Sequence, residues 1–407
     1  MLSQLTLKNF KGFADCELPF SALTFLVGAN ASGKSNLFDA VRFLQGVGLG
    51  LSFSEIFGGR WEAGHEIWAP LRGGVAEVAH HQNSSFIVNS VWATDRAQYY
   101  HHIEVRVEPE PEVIDEGAGV YPEKRDWLIN SDSLSLGGKA GIRPGGVLRV
   151  GLARSGSGKD VAVDLSSHRS TLGQIQPQKS IRAEVLECQR QLLGAFRTTL
   201  FLDLSPSLMR GYVSRQARHL GLQGQNLSGV LWELCQDPDK KERIQDWLSE
   251  LCAPEITDLG FVETGLGDVM LQVKEGNDTW VSARSMSDGT LRFLGLLVAL
   301  QTAPDGSTLL IEEIDNGLHP SRISLLIELL TNYTKNRKVQ VIATTHSPYL
   351  LGQLQPEVLK GSILLARHPE ENHCVATRIG NLAHLDEVML KRSFEHLFTT
   401  RWLERAL

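Results

Sequence analysis

Lys34 and Ser35 sit near the end of a nine-residue run, 28–36, that reads G-A-N-A-S-G-K-S-N. The run fits G-x-x-x-x-G-K-[ST], a loop whose backbone N–H groups, at the start of a helix, face an anion. Gly28, Asn30, Ser32, Gly33 and Asn36 complete the cradle, Lys34 reaches the β- and γ-phosphates, and Ser35 is placed to ligate Mg²⁺. Two further groups suit the same chemistry. Glu312 and Glu313 follow the apolar run 308–311, and His346 follows the apolar run 339–343. Transfer of a phosphoryl group to water needs a cradle, a metal, a positioned water and dipoles on the developing charge. Glu312 is placed to hold Mg²⁺ through water, Glu313 to polarise the attacking water, and His346 to hydrogen-bond the γ-phosphate or that water.

These groups need elements that bring them together. Residues 23–27 (L-T-F-L-V) read as a buried strand, and Leu37, Val41 and Leu44 recur at helical spacing after the loop. Residues 308–311 and 339–343 are two more buried strands, with an amphipathic helix over 320–330 between them. Repeated strand–helix units imply a parallel sheet, whose ligands sit at the carboxyl ends of its strands. The three strand ends therefore predict one shared site.

The bulk of the chain agrees with a soluble α/β protein. It has 407 residues, 42% of them hydrophobic and 21% charged, enough for two or three core-forming units. No apolar run reaches the ~18 residues of a membrane span, and the first residues lack the pattern of a signal peptide. The five cysteines (Cys16, Cys188, Cys235, Cys252, Cys374) form no C-x-x-C pair, which argues against a zinc site and fits a reducing cytoplasm. A net charge of −7 lends no general attraction to nucleic acid.

Other segments read less sharply. Residues 2–10 alternate as a half-buried strand, and 16–20 suit its return. Residues 85–92 and 99–107 suggest an antiparallel hairpin, and 147–150 with 161–165 another. The Pro/Glu/Gly-rich segment 108–119 predicts an exposed loop. The turn 155–159 (S-G-S-G-K) mimics a second phosphate loop, but Ala153 and Asp160 stand where glycine and Ser/Thr are needed. Residues from about 180 to 252 read as helical. Lys179, Arg182, Arg190, Arg197, Arg210, Arg215 and Arg218 make 179–219 the best local basic patch, a possible DNA contact or an ordinary solvated face. Residues 268–273 and 279–283 look like strands flanking a turn, and 285–290 is a polar loop opening the apolar helix 291–300.

S-M-S-D-G-T-L-R (285–292), L-L-I-E-E-I-D-N-G-L-H-P (309–320) and A-T-T-H-S-P (343–348), in that order after the P-loop, resemble the ABC-type ATPase heads of the SMC, RecF and OLD group. Among these they look most like the stand-alone AAA-type ATPases. The resemblance covers about the first 50 residues and 280–352. It implies a P-loop α/β head with an antiparallel β subdomain and a helical insertion, divided at 1–175, 176–252 and 253–407. It implies ATP and Mg²⁺ as cofactors, slow hydrolysis, and a homodimer that sandwiches two ATPs. In the family the S-x-G signature, here Ser287 and Gly289, touches ATP held by the other subunit, and Asp315 opens the D-loop. Gln82 is the candidate metal-side glutamine. The resemblance further suggests a switch for a separate effector, such as a nuclease in anti-phage defence, or else a DNA repair or DNA-sensing ATPase; a transporter subunit fits least. Glu312 replaces the usual aspartate, and neither SMC coiled-coil arms nor the Toprim domain of OLD proteins is present.

Overall fold

Every residue of Leu23–Val27, Thr308–Ile311 and Gln340–Thr345 is buried, because these strands are covered on both faces. The computed structural model describes the chain except residues 96, 122–125, 132–145, 252–255, 277, 369–370, 372, 401 and 407, and the side chains of 82, 121, 126–127 and 404–405. The three strands are neighbours in a six-stranded sheet. Its order is Thr199–Leu202, Thr308–Ile311, Gln340–Thr345, Leu23–Val27, Ile363–Arg367 and Cys374–Arg378. The first five strands run parallel and the last is antiparallel.

The sheet divides two hydrophobic cores. Leu26, Leu310 and Ile342 point into one, with the helix Lys34–Gly48 and the helix Ala183–Arg197. Phe25, Leu309, Ile311, Val341 and Ala343 point into the other, with the helices Asp288–Thr302 and Ile323–Asn336. Strand alternation thus sends neighbouring residues to opposite cores.

An eight-stranded antiparallel sheet caps the first core. It runs Val161–Ser166, Val147–Leu152, Asp126–Ser131, Glu112–Tyr121, Gln98–Arg106, Ser85–Ala93, Leu2–Phe10 and Phe13–Pro19. The two expected hairpins are in it. A smaller antiparallel sheet is built from Val213–Ser214, Asp268–Glu275, Ile256–Glu263 and Trp280–Ser282. It leads into the loop before the helix Asp288–Thr302.

Two expectations are corrected. Residues 108–119 do not form one exposed loop, since Glu112–Tyr121 is an inner strand. Its acids hid the strand pattern, but they are satisfied from far along the chain. Glu116 is fully buried and accepts hydrogen bonds from Ser170 Oγ (2.5 Å) and Thr171 N (2.6 Å), beside His101 Nε2 at 3.0 Å. Residues 180–252, which read as helical, hold the helices Ala183–Arg197, Leu227–Leu234 and Pro238–Leu251, so that the stretch 229–251 is two helices rather than one. They also supply Thr199–Leu202, the edge strand of the central sheet, so this stretch is not purely helical.

Candidate active site

The P-loop turns where only glycine fits. A Cβ on Gly28 would run into the carbonyl oxygen of Leu365 on the neighbouring strand. Gly33, at φ 103°, is the N-cap of the helix Lys34–Gly48, and a Cβ there would lie 2.8 Å from Cys374 Sγ. That helix has no side-chain cap, so its first N–H groups are available to an anion. Ser32 Oγ is buried in the turn without a hydrogen-bond partner, a donor suited to a phosphate oxygen. Lys34 is 8% exposed and donates to the carbonyls of Gly28 (2.7 Å) and Ala29 (2.8 Å), which hold its ammonium over the loop.

The predicted convergence holds. Asn30, Ser32, Gly33, Lys34, Ser35, Asn36, Glu312, Glu313, Thr344 and His346 line one cavity of about 340 Å³, with Arg367. Oxygen donors of this kind suit Mg²⁺: the Ser35 hydroxyl and the Glu312 carboxylate share the cavity with the lysine.

Glu313 adopts φ 47°, a left-handed backbone uncommon for a non-glycine residue. Neighbours hold it there. Its N–H donates to Thr344 Oγ1 (2.8 Å), Ile314 N donates to Thr344 O (3.1 Å), and Asn316 Nδ2 donates to Glu313 Oε2 (2.9 Å). Burial, and then the Lys34 charge, holds the His346 imidazole below its ordinary value, so it is neutral at neutral pH. A neutral ring offers one nitrogen as a hydrogen-bond donor and the other as an acceptor, for the phosphate or the water.

Asp315 lies behind this site. Thr345 hydrogen-bonds to its carboxylate, while burial pushes its pKa up. It is a buttress of the His346 loop rather than a lining residue of the cavity.

Three residues of this region escaped the sequence reading. Arg72 donates to Ser35 O (3.0 Å) and to Glu312 Oε1 (3.1 Å), and pairs with the buried Asp39 at 3.2 Å. It sits in an irregular stretch with no motif, so nothing local marks it. Arg367 ends the parallel strand Ile363–Arg367, and the strand-end argument applied to that apolar run could have found it. Lys11, which pairs with Asp39 at 2.5 Å, lines an adjoining cavity of about 380 Å³ with Ser35, Asn36, His80, His81 and Arg72. Gln82 closes the turn His80–Gln82 beside that cavity, and its side chain lies outside the described residues.

Ser287 and Gly289 are elsewhere, in a cavity of about 380 Å³ with Met286, Thr290, Gly317, His319 and Arg322. Ser287 caps the helix Asp288–Thr302, its Oγ accepting from Thr290 N at 3.1 Å. Gly289 touches the D-loop so closely that a Cβ would lie 2.6 Å from Gly317 O. Neither residue lines the P-loop cavity.

The basic run 179–219 does not gather into one patch. Arg182 and Arg190 belong to the helix Ala183–Arg197 and its cap and pair with Glu184 and Glu187. Arg210 pairs with Asp288 beside the signature, and Arg215 with Glu263 on the small sheet.

Comparison with known proteins matches two separate stretches of the chain. The family described as "AAA ATPase domain" matches residues 1–86, and that described as "AAA domain, putative AbiEii toxin, Type IV TA system" matches residues 158–352. Over 49 residues, 12% of the chain, the sequence is 47% identical to structural maintenance of chromosomes protein 1 of Arabidopsis thaliana, spanning only 4% of that protein. Over 82 residues, 19% of the chain, it is 34% identical to an uncharacterized protein of Methanocaldococcus jannaschii, spanning 72% of it. Among solved structures, the SmcHead bound to the C-winged helix domain of ScpA is similar over 95% of this chain and 99% of its own, at 14% identity and a TM-score of 0.50. At that identity the likeness is one of fold.

Proposed function

We propose that the chain is an ABC-type ATPase head of the SMC/RecF group, which binds ATP with Mg²⁺, hydrolyses it slowly and closes into a two-fold dimer around two nucleotides. One observation carries this. The residues suited to a triphosphate fall in two separate cavities, one with the P-loop and carboxylates and one with Ser287 and Gly289. A two-fold axis that set the second cavity of one copy on the first cavity of another would complete both sites at once.

Each group then has a task. Lys34 and the loop N–H groups hold the β- and γ-phosphates. Ser35 and Glu312 would hold Mg²⁺, which offsets charge on the transferring phosphoryl group. Glu313, its carboxylate held by Asn316, orients and deprotonates water. His346 hydrogen-bonds the γ-phosphate. The helix dipole behind Ser287 meets the same phosphate from the second copy. Loss of the γ-phosphate removes that bridge and weakens closure, which makes the head a switch.

The switch serves a separate effector in anti-phage defence. The description of the matched family, with its putative AbiEii toxin and type IV toxin–antitoxin system, supports that setting. A DNA-sensing role draws little support, because Arg182, Arg190, Arg210 and Arg215 each pair with an acid and do not gather on one face.

The dimer is tested by light scattering with and without ATP. Glu313→Gln should bind ATP, turn it over about 10²-fold or more slowly, and accumulate as a closed dimer. Adding Ser287→Arg should prevent that association and leave ATP binding intact. Heads that bind ATP and never associate would overturn the sandwich. The effector assignment is tested by incubating the purified chain with plasmid, Mg²⁺ and ATP. Cleavage abolished by a substitution in this chain would place the effector activity here instead.

A further inference from the structure

Between the strand Trp280–Ser282 and the helix Asp288–Thr302 the chain makes a tight loop that one side chain from far upstream holds together. Arg210 Nη1 donates to three carbonyls, those of Ala283 (2.9 Å), Arg284 (2.9 Å) and Met286 (2.7 Å). Its Nη2 donates to Asp288 Oδ1 at 2.5 Å. A guanidinium suits this task, since it is always charged and its donors spread in a rigid plane. Two backbone bonds also hold the loop. Ala283 N donates to Leu271 O (2.8 Å) on the strand Asp268–Glu275, and Ser285 N donates to Ser282 O (2.9 Å).

We propose that Arg210 is a positioning residue for closure of two heads, shaping the loop of Ser287 so that it can receive a phosphate from a second copy. This rests on the dimer reading above. Two physical effects make the link. A trans peptide unit points its C=O and its N–H in opposite directions. Turning the Met286 carbonyl toward Arg210 therefore turns the Ser287 N–H away from it. The first N–H groups of the helix, next along the chain, have no intrahelical partner. Arg210 thus fixes which way this donor set faces. The second effect is charge. Asp288 stands next to Ser287 with a largely exposed carboxylate, which would repel an arriving phosphate. Arg210 pairs with it and neutralises it.

Both effects act at the loop of Ser287, and neither Arg210 nor Asp288 lines the P-loop cavity. The experiment uses the Glu313→Gln protein as parent. It measures ATP-dependent association by sedimentation and nucleotide affinity by calorimetry. Arg210→Ala should weaken association about tenfold or more, as three carbonyls and a carboxylate lose one shared cation, with nucleotide affinity within about twofold of the parent. Arg210→Lys should fall between, because an ammonium cannot span all four acceptors. Adding Asp288→Asn to Arg210→Ala should recover part of the association, since the exposed charge is gone. A role in folding alone would not produce that recovery. Undiminished association of Arg210→Ala would overturn the inference, and so would an equal loss of its nucleotide affinity. A parent that binds ATP and does not associate would overturn the dimer reading and this inference with it.

Discussion

The two cavities of this head are built on opposite plans. The P-loop cavity is dense with charge: Lys34, Glu312, Glu313 and Arg367 line it, and Arg72 reaches in from the side. Much of that charge is held internally, Lys34 by loop carbonyls and Glu312 by Arg72. The signature cavity also has charged lining in Glu275 and Arg322, but around Ser287 it is shaped by backbone. Its helix start, the Ser287 hydroxyl and the contact of Gly289 with Gly317 set its shape, with Arg210 as the tie behind. The first plan makes strength depend on which charges are present. The second makes it depend on tenths of an ångström.

That contrast can be broken by experiment. The largest effect should come from Lys34→Ala. It removes the main cation for a triphosphate in a largely buried site and should lower ATP affinity about a hundredfold or more. Calorimetry checks this, and an unchanged affinity would remove the P-loop from the account. A smaller and different effect should follow Gly289→Ala. The added methyl would meet backbone rather than a side chain that can yield, so the signature turn and D-loop must part. Association with ATP should weaken about tenfold while calorimetric ATP affinity stays near that of the parent. If Gly289→Ala instead lowers nucleotide affinity and spares association, the two cavities do not divide their work as described.

The smallest effect concerns pH. The folded chain holds the His346 imidazole below its ordinary value of 6.5. Between that lowered value and 6.5 the unfolded chain binds more protons, so stability should fall as pH drops through this window and level off below it. The slope should be shallow, because His346 is exposed. Thermal midpoints from pH 7.5 to 5 should show His346→Gln with less of this fall than the parent. Identical slopes would place the titration on another group.

Sequence reading reached the three strand ends because each signal is local. An apolar run long enough for one strand, ending at a glycine turn or at polar residues, marks Leu23–Val27, Thr308–Ile311 and the middle of Gln340–Thr345. It missed Glu112–Tyr121 because a strand with buried acids looks exposed until its partners are known. Glu116 is tolerable only with Ser170, Thr171 and His101 around it. It missed Thr199–Leu202 because four residues after a helix carry no period of their own.

Arg210 is the sharpest case of that limit. In the sequence it is one of seven cations between 179 and 219, and composition treats it as a surface charge. In the fold it is the donor for three carbonyls of a loop some 70 residues later. The P-loop turn, the strand ends and the helix start at Ser287 were determined by the sequence itself. A glycine that turns the chain at positive φ, a run of apolar residues and a capping hydroxyl act over a few neighbours. Which cation serves which carbonyl or carboxylate, Arg72 for Glu312 and Arg210 for the signature loop, was decided only by tertiary structure. A charge has no preferred partner along the chain, and the fold alone brings one within reach.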